Sequence, residues 1–436
     1  MVAGTATVRE SSAPRLIRDI ARRKALPVAF LLVSVVLLLS RLPMSLVTNF
    51  WAEDGAVFYA QAYNLGSLQP LTMAVTGYLQ TFPRLEAAVA VNFPLAIGPL
   101  LALGVALIFD VAPGVFLLTE RCRDIVPNLA VRLILATFTV VLPDTFELNG
   151  NLANVQWHLP LLSFLLIAAR PPRTVVGHAL DLLVLAVTGV SGPFCFLLTP
   201  ICAWLWLRQR ARWLLGRLAV LAGVTAIQAG VLITHAGERL TDTQGLLHPS
   251  FELLIKILDR PLLTPILGTS GYDRLMHSRL WNGPVVPALV LLVGALLVAY
   301  ALWRGPTTLR LLFFLAAGVL VMALVSPFAG GSLRSQWEAL AGVGAHARYF
   351  YIPALVWISA LVWLAFKARW LILRVMAAAV LVCGLVIAVP RDWRYSSPPP
   401  TNFQAAAAQF DQAPPGTTVV LPIEPAPAWK MTLHKH

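Results

Sequence analysis

Charge is scarce in this sequence: Asp, Glu, Lys and Arg make up 12% of its 436 residues. A soluble globular domain carries about 25% charged residues, so a soluble chain is excluded. Cysteine is scarce as well. Cys122, Cys195, Cys202 and Cys383 lie in or at the edges of expected helices without CxxC spacing. Neither a zinc site nor a disulfide framework follows from that arrangement, and the four are read as packing residues. Phosphate loops of the GxxxxGK(S/T) or GxGxxG form are missing, and so are HExxH and GxSxG. Cytoplasmic nucleotide hydrolysis, zinc proteolysis and serine hydrolysis are therefore without support. No soluble domain is large enough to serve as an ATPase, which excludes a self-powered pump.

Apolar sequence is what the chain has in quantity: 58% of residues are hydrophobic and mean hydropathy is +0.75. Runs such as 27–47, 96–112 and 284–302 approach or exceed the ~20 residues that cross ~30 Å of hydrocarbon. A barrel would show alternating ~10-residue segments instead. The expected fold class is an all-α polytopic membrane protein. Its net charge of +13 calls for no nucleic-acid partner, because cytoplasmic loops of such proteins are rich in Lys and Arg. The basic stretch Arg15, Arg18, Arg22, Arg23 and Lys24 precedes a hydrophobic run too long for a signal-peptide core, with no small-residue cleavage site after it. Segment 1–26 is thus expected to be a cytoplasmic leader to an uncleaved anchor.

Taking apolar runs as spans and Arg clusters as cytoplasmic, the chain is expected to cross at 27–47, 90–118, 127–143, 157–169, 175–190, 193–207, 214–234, 284–303, 308–327, 349–366 and 371–390. That makes about eleven spans in a core of 27–390. The clusters Arg121/Arg123, Arg170/Arg173, Arg208/Arg210/Arg212/Arg217, Arg304/Arg310 and Lys367/Arg369/Arg374 then all fall inside. Spans 175–190 and 193–207 are short and meet at Val190-Ser191-Gly192-Pro193, where Pro stops a helix and Gly permits a tight turn. They read either as a re-entrant hairpin bordering a cavity or as two tilted spans with an ordinary loop. The long outer segments are 48–89, 144–156, 235–283, 328–348 and an extracytoplasmic appendage, 391–436. Within the appendage a Ser-Ser-Pro-Pro-Pro linker leads to an amphipathic helix over 402–412 and a strand over 417–423. No internal repeat is evident, which weakens a transporter built from inverted repeats.

The strongest local signal is Phe50-Trp51-Ala52-Glu53-Asp54-Gly55, just past the first span. Adjacent carboxylates where hydrocarbon gives way to headgroups are costly unless solvated, paired or used. The alternative is a cap, with Asp54 starting the helix over 56–65 and Glu53 solvated. The same loop continues through Gly77-Tyr78-Leu79 and Pro83-Arg84-Leu85-Glu86, and a second outer cation lies in Ala345-His346-Ala347-Arg348-Tyr349. An Arg offers a planar, permanently charged fork suited to a phosphate diester, although Arg84 and Arg348 could instead pair locally or snorkel. The third loop, Asp144-Thr145-Phe146-Glu147-Leu148-Asn149-Gly150-Asn151 followed by Asn154, Gln156, Trp157 and His158, is dense in amides, carboxylates and aromatics. Sugar recognition needs such groups, since hydroxyls require paired donors and acceptors and the pyranose face stacks on rings. His158 is either a satisfied bundle histidine or one that handles a proton or faces a phosphate.

With Trp51-Ala52-Glu53-Asp54-Gly55 in a long first outer loop, the Ser191-Gly192-Pro193-Phe194 hairpin, Arg348-Tyr349 before a late span and a small outer appendage, the chain resembles the GT-C superfamily of membrane glycosyltransferases. Those enzymes use polyprenyl-phosphate sugars at the extracytoplasmic face. The resemblance covers most of the chain in topology and a few short motifs in sequence. It implies transfer of a sugar to an envelope glycan, lipid or protein acceptor at the outer face of the cytoplasmic membrane, among membrane lipids. The first-loop acid, Asp54 or Glu53, is then the catalytic base, and outer cations, Arg84 and Arg348, hold the donor phosphate. Trp51, Tyr78, Asn154, Trp157, His158, His346 and Tyr349 are the expected substrate contacts. Asp144 and Glu147 are candidates for the second-loop acid, and the need for a divalent cation is left open. A transporter or flippase of a lipid-linked or anionic envelope molecule is the rival. It should carry charge near the middle of several spans, whereas Asp110, Arg132 and Asp181 lie nearer the expected ends and Gln228 is uncharged. A non-catalytic scaffold of an envelope-assembly complex is a third reading.

Overall fold

A computed structural model describes residues 13–238, 250–281, 283–325, 336–343, 346–397, 399 and 401–436, with side chains described from residue 25. The expected leader 1–26 and the outer segments 235–283 and 328–348 fall partly outside those residues, as does part of the Ser-Ser-Pro-Pro-Pro linker. Of the described residues 73% are helical. Among the described residues six helices are long and apolar enough to cross a membrane: Leu95–Leu117, Arg212–Thr234, Val285–Arg304, Thr307–Val325, Arg348–Lys367 and Leu371–Arg391. Ala25–Arg41, Leu129–Val141, Leu152–Ala168 and Val175–Gly189 are apolar but shorter. This makes an all-α chain compatible with a multi-pass membrane protein.

The helices sort by what covers them. Arg348–Lys367 is the axis: 78% of its apolar window is buried, and it packs against the 307–325, 371–383, 251–267 and 129–141 helices. Leu152–Ala168 is buried along nearly its whole length. Val285–Arg304, by contrast, leaves Val285, Leu289, Leu292, Val293 and Leu296 exposed, the pattern of a helix whose solvent is lipid rather than water. Tyr300 stacks on Trp370 at 5.5 Å and meets Trp303 and Trp363 edge-on or tilted, an aromatic belt beside Arg304 and Arg369. At the same chain ends Arg121 and Arg217 both pair with Asp181, tying three helices where a lone buried charge would be untenable.

Two features depart from the sequence reading. Residues 251–267 were expected to be outer loop, but form a helix, Phe251–Leu267, that packs along the 348–367 and 285–304 helices. Pro261, Pro265 and the Asp259-Arg260 pair interrupt its hydropathy and hide it. The appendage contains the expected helix, Phe403–Gln412, and strand, Thr418–Pro422 (β3). It also contains a second strand, Lys430–His434 (β4), paired antiparallel with β3 from Thr418↔His434 to Pro422↔Lys430. A second small sheet, Ala74–Val75 (β1) with Tyr78–Leu79 (β2), lies in the first outer loop.

Arg260 and Asp144 are buried together, Nη2 to Oδ2 at 2.8 Å, and Arg260 Nη1 also donates to the Leu340 and Gly342 carbonyls. Removing one partner strands the other. Arg260→Leu is expected to cost about 3–5 kcal/mol of stability, read as a lowered Tm in detergent; an unchanged Tm would show that the pair is dispensable.

Candidate functional site

Residues 144–151 fold into a tight loop in which nearly every polar side chain bonds to a different element. Asp144 holds Arg260. Thr145 and Asn149 both hydrogen-bond the Tyr395 hydroxyl, at 2.9 and 2.7 Å. Gly150 N–H donates to Asp110 Oδ2 at 2.8 Å. Asn151 caps the 152–168 helix by accepting from Asn154 N–H, and the Asn154 and Asn151 amides return to the Glu147 carbonyl. Glu147 reaches across to the start of the 348–367 helix, accepting from His346 N–H at 2.9 Å, Arg348 N–H at 3.3 Å and Arg348 Nη1 at 3.2 Å.

The two adjacent acids of the first loop have separate fates. Asp54 is buried and accepts hydrogen bonds from Leu152 N–H at 2.9 Å and Ala153 N–H at 2.7 Å. It does not cap the segment that follows it, as one reading of the sequence expects, but the buried 152–168 helix, 98 residues away. Burial pushes its carboxyl well above the ordinary range, and the two amides pull the other way. Glu53 is half-buried. Burial raises its pKa above the ordinary 4.5, opposed by its own amide and by the neighbouring Arg348 guanidinium and assisted by Glu147. One carboxylate of the pair therefore serves the fold while the other faces the Arg348–Glu147 pair.

Tyr349 and Tyr78, both in electrostatic contact with Arg348, border the polar end of a cavity of about 470 Å³. Its wall includes Thr76, Tyr78, Gln156, Trp157, Pro193, Phe194 and Tyr349 at that end. It continues as Phe196, Leu197, Leu232, Val319, Val321, Met322 and Val325 between the helices. Gln156 Oε1 and Trp157 Nε1 are buried with no hydrogen-bond partner among the described residues, an acceptor and a donor available to a ligand. Trp157 packs edge-on against Tyr349 at 5.1 Å and Phe194 at 5.0 Å. The 190–193 turn closes this end: Gly192 has φ +151°, and a Cβ there would sit 2.9 Å from Gln156 Oε1. Non-glycine residues with positive φ gather around the site, at Ala52, Thr76, Asp144 and His346, the distribution expected where strain serves function.

Other expected site residues lie elsewhere. Arg84 is buried on Thr81–Ala90, donating to Gln61 Oε1 at 2.7 Å and stacked 5.5 Å from the Phe58 ring. Asn154 is used within the loop. His158 is fully buried, 3.4 Å from Asp110 and beside the Tyr351 ring at 4.7 Å. Trp51 meets Phe146 edge-on at 5.7 Å. His346 lies beside Arg348, and burial with that cation lowers its pKa to about 4, so its ring is neutral. Arg41, at the end of the first span and not singled out by any sequence motif, is buried and donates to the Val140 and Leu142 carbonyls and to Trp393 O. Among the described residues no group of three or more His, Cys, Asp or Glu side chains could hold a metal ion, and Glu147 is paired with Arg348.

No protein-family model matches this sequence, and no curated protein matches it.

The division between the two acids is testable without an activity assay. Asp54→Ala should cost about 1–2 kcal/mol through loss of the cap, and more if the buried amides find no water. Glu53→Gln should leave the thermal midpoint in detergent unchanged. Equal destabilisation by both would contradict the division.

Proposed function

We propose that the chain is a polytopic glycosyltransferase of about eleven spans in the cytoplasmic membrane. It moves a sugar from a polyprenyl-phosphate donor to an envelope glycan, lipid or protein acceptor at the outer face. One observation carries the reading: the half-buried Glu53 carboxyl feels the charges of the Arg348–Glu147 pair, and Tyr349, next to Arg348 in the chain, lines the polar end of a cavity whose other end is apolar. A lipid-linked sugar has that polarity. Its isoprenoid chain suits the Leu197, Leu232 and Met322 end, and its sugar hydroxyls suit Gln156, Trp157, Tyr78 and Tyr349.

In this reading Glu53 is the base. It takes the acceptor hydroxyl proton as that oxygen attacks the anomeric carbon, and the bond from that carbon to the phosphate oxygen breaks with its electron pair leaving on the polyprenyl phosphate. Arg348, oriented by Glu147, stabilises the departing phosphate. The leaving group is good enough to need no acid. Asp54 supports the turn through the cap it makes, a different division of labour from the one its loop position suggests. Arg84 acts in the packing of the first outer loop.

A transporter is the second reading, favoured by the Asp110–His158 pair buried within the bundle. The deciding experiment is radiolabelled sugar transfer from a panel of polyprenyl-phosphate donors by the purified protein. Transfer is expected; substrate translocation in vesicles with no transfer would establish the second reading.

Glu53→Gln is expected to lower kcat by ~10²–10⁴-fold with donor binding retained. Because the base must be ionised and burial raises its pKa, kcat should fall as pH drops through a value above 4.5. An acid limb at or below the ordinary glutamate value would exclude Glu53. Arg348→Lys keeps the charge and loses the fork, so donor KM should rise more than acceptor KM.

A further inference from the structure

The C-terminal segment touches both loops that build the site, and it does so within two residues of Glu53 and of Glu147. Glu424 forms a parallel bridge with Trp51: its N–H donates to Phe50 O at 3.0 Å and its carbonyl accepts from Ala52 N–H. Ala52 has φ +27°, a backbone state that an alanine holds only when its surroundings impose it. Behind the bridge Ile423 is fully buried, and its Cδ1 lies 3.0 Å from where a Gly55 Cβ would stand. Phe403 packs edge-on against Phe50 at 5.7 Å, and Gln404 donates to Thr48 O at 2.8 Å. At its start the same segment places the Tyr395 hydroxyl between Thr145 and Asn149 in the loop that carries Glu147.

We propose that residues 395–397 and 401–424 are a positioning element of the site, a strap that holds the Glu53 turn in register with the loop carrying Glu147 and hence with Arg348. Tyr395 and Ile423 are the positioning residues: neither lines the cavity, and each touches the backbone or side chains next to an acid. Without the strap the turn from 50 to 55 would keep the Asp54 cap and the Phe50–Tyr59 and Trp51–Phe146 ring contacts but lose the backbone bridge that holds Ala52, the residue before Glu53, so the Glu53 side chain could swing. Reacting groups tolerate little of that, since a displacement of about 1 Å can cost ~10²-fold in rate.

The proposal rests on the transferase reading for its kinetic arm only. Tyr395→Phe removes both hydroxyl contacts and keeps the ring; Ile423→Val removes the methyl group facing Gly55. In the full-length protein each is expected to lower kcat ~10- to 100-fold with donor KM nearly unchanged. The second arm needs no activity: the pH midpoint of carbodiimide labelling at Glu53, followed by mass spectrometry. Loosening the turn exposes the carboxyl to water, so the midpoint should move down in both variants. Leu315→Val, equally buried in the 307–325 helix, serves as the packing control and should leave the midpoint in place. A lowered Tm with an unmoved Glu53 midpoint would overturn the proposal and leave the segment a passive cover. A shifted midpoint in a protein that transfers no sugar would keep the positioning role and remove the transferase reading.

Discussion

A carboxylate buried where water is excluded must be given hydrogen bonds or a countercharge, and the polar loops of this protein are arranged to meet that requirement for Glu147. Its oxygens accept from two backbone amides and one guanidinium, all at the start of the 348–367 helix. That contact joins the loop before one buried helix to the first turn of another. The remaining polar groups of the 144–151 loop extend the tie to the 251–267 helix through Arg260, to the 98–117 helix through Asp110 and to the C-terminal segment through Tyr395. An apolar bundle alone would leave these helix ends free to slide, because lipid tails are as apolar as the side chains they would replace. Polar bonds at the ends supply the register that hydrophobic packing in a membrane does not.

The same requirement explains why adjacent acids diverge. Asp54 satisfies the first amides of the 152–168 helix, which are orphan donors by helix geometry and favour a negative partner. Once Asp54 is committed, Glu53 projects from a turn whose backbone is fixed, next to a cation that is itself fixed by Glu147. In the proposed reaction this lets a base and a phosphate-binding cation work side by side without neutralising one another, because Arg348 already has its own carboxylate. The cavity beside them changes from aromatic and polar to aliphatic along its length, matching an amphiphile that enters from the side.

Much of this was legible in the sequence, and the part that was not shares one cause. Hydropathy alone marks the helical spans, and the 48–55 and 345–349 motifs stand out because charge beside a span is costly. The short helices meeting at Gly192-Pro193 follow from the chemistry of those two residues. Asp54 was legible as an acid with a purpose, but its partners lie 98 and 99 residues away, and no local pattern encodes which helix end a carboxylate will meet. Arg84 and Arg348 look alike in sequence; only packing separates the one stacked on Phe58 from the one held by Glu147. The 251–267 helix was hidden because its prolines and buried charges mimic a loop. Glu424 gave no signal at all, since a backbone bridge carries no side-chain signature.

The central claim is that the cavity between Tyr349 and Met322 receives a lipid-linked sugar with its reactive end at Glu53. A polyprenyl-phosphate sugar carrying a photoreactive group on its chain, irradiated with the purified protein and mapped by peptide mass spectrometry, tests it most directly. The account predicts crosslinks concentrated at Leu197, Leu232 and Met322, competed by unlabelled donor. Crosslinks spread over the exposed faces of the 285–304 and 371–383 helices, with no competition, would contradict it.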